Sequence, residues 1–230
     1  MKSVARLAFL AAAGLCASSA VAQADTFIFT SCHISSSTCE GGSIPAPGFG
    51  SVTLTQSGTS VNFDVTLING NRFVETGAGG GELFLFNDSI AGSTIINPVA
   101  TLNGVDQSLA LVGFTNLAPV HADGTGDWTA SVECVTASQC NGGSTPNIND
   151  LHFTVTNATI AQLTTPTALT GLNIFVADIL CGATQPQCVG LTGPVDVAIP
   201  GPVVGAGLPG LMMACGGLVA LGRRRRQKTV

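Results

Sequence analysis

Val61-Asn62-Phe63-Asp64-Val65-Thr66-Leu67 decides the fold class. Apolar residues at 61, 63, 65 and 67 alternate with polar ones, a period of two that turns one strand face inward and the other to water. Upstream, Val52 and Leu54 keep the same alternation. The polar stretch Gln56-Ser57-Gly58-Thr59-Ser60 separates the two runs, so the pair reads as a β-hairpin. Further strands are expected over residues 26–30, 72–76, 82–86, 109–114, 128–134, 151–156 and 173–179, with Gly-, Asn- and Pro-rich segments between them. Residues 157–163 read as one helical turn or a loop. Long amphipathic helices lack the Lys, Arg and Glu they would need. The expected fold is all-β, an antiparallel β-sandwich or jelly roll, with an N-terminal signal peptide and one C-terminal transmembrane helix.

The charge distribution is lopsided. All thirteen acidic residues fall between Asp25 and Asp196, and seven of the eight basic residues fall in the two ends of the chain. Arg72 is the only base between them, which leaves the body at about −12. Neutralising phosphates requires Lys or Arg, so nucleic acid is not an expected partner.

Six cysteines lie in the body as three close pairs: Cys32 and Cys39, Cys134 and Cys140, Cys181 and Cys188. Fifteen connectivities are open to six cysteines, and the repeated short spacing favours local pairing. Each bridge would close a small polar loop and pin strand ends, contributing roughly 2.5 kcal/mol. Zinc fits badly, because the spacings are wrong and no histidines converge on them. The cysteines point to an oxidising compartment.

The two ends read as targeting segments. Residues 1–24 have the form of a secretory signal peptide: Lys2 and Arg6, an apolar run over residues 7–15, and the small-x-small site Ala22-Gln23-Ala24, which puts the mature N-terminus at Asp25. At the other end Pro200-Gly201-Pro202 precedes a charge-free, glycine-rich apolar run over residues 203–222, followed by Arg223, Arg224, Arg225, Arg226, Gln227 and Lys228. About twenty such residues match a bilayer core, and the basic stop places the tail in the cytoplasm.

This C-terminal order of short motif, apolar span and basic cluster resembles the PEP-CTERM sorting domain, with Pro-Gly-Pro in place of Pro-Glu-Pro. The resemblance covers residues 198–230. The N-terminal leader calls for export by the Sec machinery and removal by signal peptidase; the resemblance implies processing by an exosortase-like transpeptidase. It also implies passage through the inner membrane of a Gram-negative bacterium to the cell surface or an exopolysaccharide matrix. The segment from residue 173 to residue 196 is loosely similar to the final strands of other exported proteins of this class. The exported β domain then spans residues 25–197.

No catalytic constellation stands out. His33, His121 and His152 are isolated in sequence and read as surface or loop residues. The run Gly77-Ala78-Gly79-Gly80-Gly81 leads into a strand with no lysine after it, so it is not a phosphate loop. Asp123 and Asp127 flank glycines in His121-Ala122-Asp123-Gly124-Thr125-Gly126-Asp127-Trp128; a plain turn is favoured over a calcium loop. Glu40, Glu75, Glu82 and Glu133 are the acids that a glycosidase could pair across a cleft. With no tyrosine and only Trp128, an aromatic sugar platform is not expected. No catalytic residue, metal ligand or cofactor is assigned. The sequence thus supports a non-enzymatic surface or extracellular-matrix protein; the alternative is a glycan- or calcium-binding module.

Overall fold

A computed structural model describes residues 24–75, 81–140, 148–166 and 172–198. Of the expected signal peptide 1–24, all but Ala24 lies outside the described residues, as do the sorting motif, span and basic stop after residue 198. No helix among the described residues is long and apolar enough to cross a membrane.

Among the described residues sixteen strands run in chain order. They are β1 (Ala24–Phe29), β2 (Ser31–Cys32), β3 (Gly42–Ser43), β4 (Gly50–Ser57), β5 (Ser60–Leu67), β6 (Arg72–Phe73), β7 (Glu82–Phe86) and β8 (Thr94–Leu102). The remainder are β9 (Val105–Asp106), β10 (Leu111–Phe114), β11 (Val120–Ala122), β12 (Gly126–Trp128), β13 (Ala130–Cys134), β14 (Asp150–Thr156), β15 (Asn173–Leu180) and β16 (Thr192–Ala198). A helical turn, α1 (Ile160–Leu163), is closed by a capping box between Thr159 and Gln162, and a single 3₁₀ turn covers Ala137–Gln139.

Among the described residues all strand pairings are antiparallel. The first sheet has the order β1-β4-β5-β14-β8-β9, and the second runs β10-β13-β7-β15-β16-β2-β3, with β6 also pairing β15. The β4–β5 hairpin is the one expected from its alternation. Ser57 pairs Ser60 across a two-residue turn, where Gly58 takes φ 60° as that turn demands. Gln56 locks the corner by donating to the carbonyls of Gly58, Ser60 and Ala158.

The core lies between the two sheets and is built on phenylalanine. Phe63 and Phe153 are register partners on β5 and β14, and their rings stack at 4.5 Å. Phe63 also meets Phe84, Phe86 and Phe175 of the facing sheet at 6.3, 5.2 and 5.9 Å. Offset and edge-on ring contacts of this kind add to the area buried. A second, smaller cluster of Leu85, Ala122, Trp128 and Val176 sits on the other face of the second sheet, under the β11–β12 hairpin.

Two expectations need correction. Residues 128–134 do not form one strand. Trp128 ends β12 of the hairpin and Ala130 begins β13 of the second sheet, with Thr129 holding the corner through bonds to Asp88 N and Asp88 O. Strand β8 was not expected at all. Pro98 interrupts its pattern, and Asn97 has φ 52°. The register against β14 slips there, so Phe153 faces two residues, a bulge that accommodates a proline inside a sheet.

Replacing Phe63 by Ala is expected to cost about 3–5 kcal/mol of stability, the range for a buried aromatic. Urea unfolding of the exported domain measures it. A loss under about 1 kcal/mol would mean that the inter-sheet stack is not the main tie.

Candidate functional site

The three cysteine pairs are joined as expected, Cys32 to Cys39, Cys134 to Cys140 and Cys181 to Cys188, with Cα separations of 5.7, 6.2 and 5.7 Å. The first and third loops touch: Thr38 N donates to Gln187 O at 2.9 Å. The third loop also docks on the corner after β5. Gly182 N donates to Asn71 Oδ1 at 3.0 Å, and Gln185 Oε1 accepts from Asn69 and Asn71. These two bridges pin loops to strand ends.

The Cys134–Cys140 bridge has a different neighbour. The backbone N–H of Glu75 donates to Cys140 O at 2.9 Å, and Glu75 Oε1 accepts from Cys134 N at 2.9 Å. A carboxylate oxygen of Glu75 lies within 4.8 Å of both sulfurs. The side chain is buried, and Oε2 has no hydrogen-bond partner among the described residues. Gly81 lies against it, so a Cβ there would fall 3.6 Å from Oε2. Gly81 N in turn donates to Glu82 Oε2 at 3.0 Å.

Glu82 pairs Glu133 across β7 and β13. The charges of Glu133, Glu82 and Asp178 all act on Glu75. Burial raises the Glu75 carboxyl from 4.5 to about 7; the Cys134 N–H opposes this and the three neighbouring carboxylates add to it. Glu133 is also raised, first by burial and then by Glu82, while its bond from Ser131 works against the shift.

Three of the four glutamates expected as possible acid partners therefore do gather, joined by Asp178. Glu40 does not; it accepts from Ser36 N in the first cysteine loop. The cluster lines neither of two open clefts of about 420 and 400 Å³, which flank Arg72 instead. The larger cleft is lined by Asn69, Asn71, Arg72, Asn103 and Asn149 among others. Among the described residues no three carboxylate oxygens come within 4.8 Å of one another, about the span of ligands around one calcium ion. The Asp123–Asp127 loop is a hairpin tip between β11 and β12, and Asp127 Oδ1 is bonded to His121 Nδ1 at 2.7 Å.

Each histidine has an aspartate partner. His121–Asp127 and His152–Asp64 are exposed pairs at 2.7 Å, of little energetic weight. His33 Nε2 is 3.0 Å from Oδ2 of Asp196, which is fully buried and whose Oδ1 has no partner among the described residues. Ser31 Oγ lies 3.2 Å from the same nitrogen. Serine and aspartate thus share one ring nitrogen, which is not the relay of a nucleophilic triad, where they bond opposite nitrogens. The ring lies against Gly124, where an added Cβ would come 2.4 Å from Nδ1.

The sequence reading did not single out Asp178 or Asp196. Both stand in apolar strand runs, Val176-Ala177-Asp178-Ile179 and Val195-Asp196-Val197, and that setting marks a buried acid. Trp128 is fully buried and donates to Thr125 Oγ1.

Because ionising Glu75 costs the folded state more than the unfolded one, stability is expected to fall as pH rises from 4.5 through about 7. The full effect is about 3 kcal/mol. Glu75→Gln should flatten that slope, so the variant gains on the wild type as pH rises from 4.5 to about 7 and keeps the full gain above that. Urea midpoints taken across this range check it; parallel curves would contradict the assignment.

No family model matches the chain, and no curated protein or solved structure matches it.

Proposed function

We propose that this chain is an exported, non-enzymatic surface or extracellular-matrix protein whose β-sandwich body is delivered by its C-terminal signal. The observation that carries the reading is the tripartite tail, Pro200-Gly201-Pro202, the apolar run over residues 203–222 and Arg223 to Arg226, behind a body with three local disulfides. Disulfides of this kind persist in oxidising compartments, which agrees with a secreted body. The leader is removed by signal peptidase after Sec export. The span holds the precursor in the inner membrane, and an exosortase-like transpeptidase releases the body near Pro202. The body, with Arg72 as its only base, stays strongly acidic outside the cell, which favours solubility at a crowded surface.

A second reading, a glycan-binding module, draws on the cleft lined by Asn69, Asn103, Asn149 and Arg72. Amide side chains offer both donors and acceptors to sugar hydroxyls, and exopolysaccharide is the matching partner. A glycan array read with the wild type and with Asn149→Ala tests it: binding that the variant loses supports the module, and a blank array removes it.

The sorting reading is checked by the intact mass of protein recovered from its native envelope. The expected species begins at Asp25, ends near Pro202, and gains two hydrogens for each of three bridges on reduction. A species still carrying Arg223–Arg226 at the envelope would overturn processing.

A further inference from the structure

By spacing, the three bridges are equivalents; by surroundings they are not. Among the described residues only Cys134–Cys140 has a titratable side chain whose ligand atom lies within 4.8 Å of both sulfurs. That residue, Glu75, is fixed to both half-cystine backbones, through Cys140 O and Cys134 N. One of its oxygens is engaged in this clamp. The other, Oε2, is buried and has no hydrogen-bond partner among the described residues. A buried carboxyl oxygen without a partner is costly, and here the protonated acid has a hydrogen to give. Among the described residues the other bridges have no such group. Around Cys32 and Cys39 the near polar atom is the Ser37 hydroxyl, which does not ionise at neutral pH.

We propose that Cys134–Cys140 is an exchangeable bridge, opened by an external dithiol with Glu75 as the proton donor to the departing sulfur. Both half-cystines are buried, and Cys134, the less buried of the two, is the entry point in this proposal. A thiolate of the dithiol attacks Cys134 Sγ and forms a new S–S bond. The Cys134–Cys140 bond breaks, its electron pair passes to Cys140 Sγ, and that sulfur takes the proton of Glu75. The second thiol of the dithiol then attacks the mixed disulfide. Cys134 leaves and is protonated by the proton which that thiol gives up. The dithiol ends oxidised to a cyclic disulfide, the protein ends with two thiols, and Glu75 ends as a carboxylate. Two electrons have moved, and no other reactant is required.

Glu133, Glu82 and Asp178 face Glu75, and together with burial they keep it protonated up to about pH 7. The acid form is thus present at the pH where thiolates begin to form. The step is stoichiometric and compatible with a protein that is not an enzyme. It is a property of the folded body and is independent of how the tail is processed.

The test uses the oxidised exported protein and dithiothreitol, with quenching by an alkylating reagent and peptide mass analysis of each bridge. The opening rate of Cys134–Cys140 is divided by that of Cys32–Cys39 in the same sample, which cancels the thiolate concentration. The ratio is expected to be on the order of 100 below about pH 7, the lower end of what a placed proton donor contributes, and to fall as pH rises beyond that. Glu75→Gln retains an acceptor for Cys134 N and is nearly isosteric, so it should fold; it is expected to bring the ratio near one and make it independent of pH. Equal rates for the bridges in the wild type, or an unchanged ratio and pH profile in the variant, would overturn the proposal. A variant that unfolds is recognised by equal, fast opening of all three bridges, and Glu75→Asp then decides: it shortens the donor and must lower the ratio while retaining its pH dependence.

Discussion

The contact between Phe63 and the rings facing it is the constraint on which the rest depends. An antiparallel sheet of this composition has one apolar face, and that face must be covered. Phe63 and Phe153 supply the cover from one side, Phe84, Phe86 and Phe175 from the other. Their registers follow. Phe63 faces Leu54 on one flank and Phe153 on the other, and a slip by one residue would send the whole set to the solvent face. The short elements hang on this frame. The β11–β12 hairpin closes over the back of the second sheet through Trp128, Leu85 and Val176, and the cysteine loops close its ends.

The strands that carry this core were legible in the sequence because they alternate cleanly, as residues 61–67 do. β7 and most of β15 are apolar on both faces and were still recognised as short β-rich runs; their second buried face is explained by the hairpin lying on it. What was not legible was a strand carrying its own interruption. In β8 the Asn97-Pro98 pair looks like a turn, and only the neighbouring strand β14 shows that it is a bulge. The break at Thr129 was hidden for the opposite reason: apolar residues continue across it while the chain changes sheets. At the level of sites, local pairing was readable from spacing because short loops have few other partners. The gathering of Glu75, Glu82, Glu133 and Asp178 was not readable, since it joins β7, β13, β15 and the segment after β6, four pieces far apart in the chain.

Charge sets the second constraint. With Arg72 as the only Lys or Arg of the body, its many carboxylates cannot be matched by ordinary ion pairs. Three are met by histidines, at His33–Asp196, His121–Asp127 and His152–Asp64. In each pair a ring nitrogen lies within hydrogen-bond distance of one carboxylate oxygen, at 3.0, 2.7 and 2.7 Å. Asp196 is the telling member, because it is fully buried and its partner ring is packed against Gly124. This one bond links β16, the first cysteine loop and the tip of the hairpin.

Glu75 has no such partner, and the consequence runs through its environment rather than through any single contact. A buried acid surrounded by Glu133, Glu82 and Asp178 lowers its energy by keeping its proton. A surface glutamate in that place would be ionised at neutral pH and would have no proton to offer a leaving sulfur. Burial, and after it the neighbouring carboxylates of a body with so few bases, therefore raise one carboxyl beside one disulfide to about 7. Had a lysine stood next to Glu75, the bridge would be held by the same two backbone bonds, and its chemistry would be that of the other two.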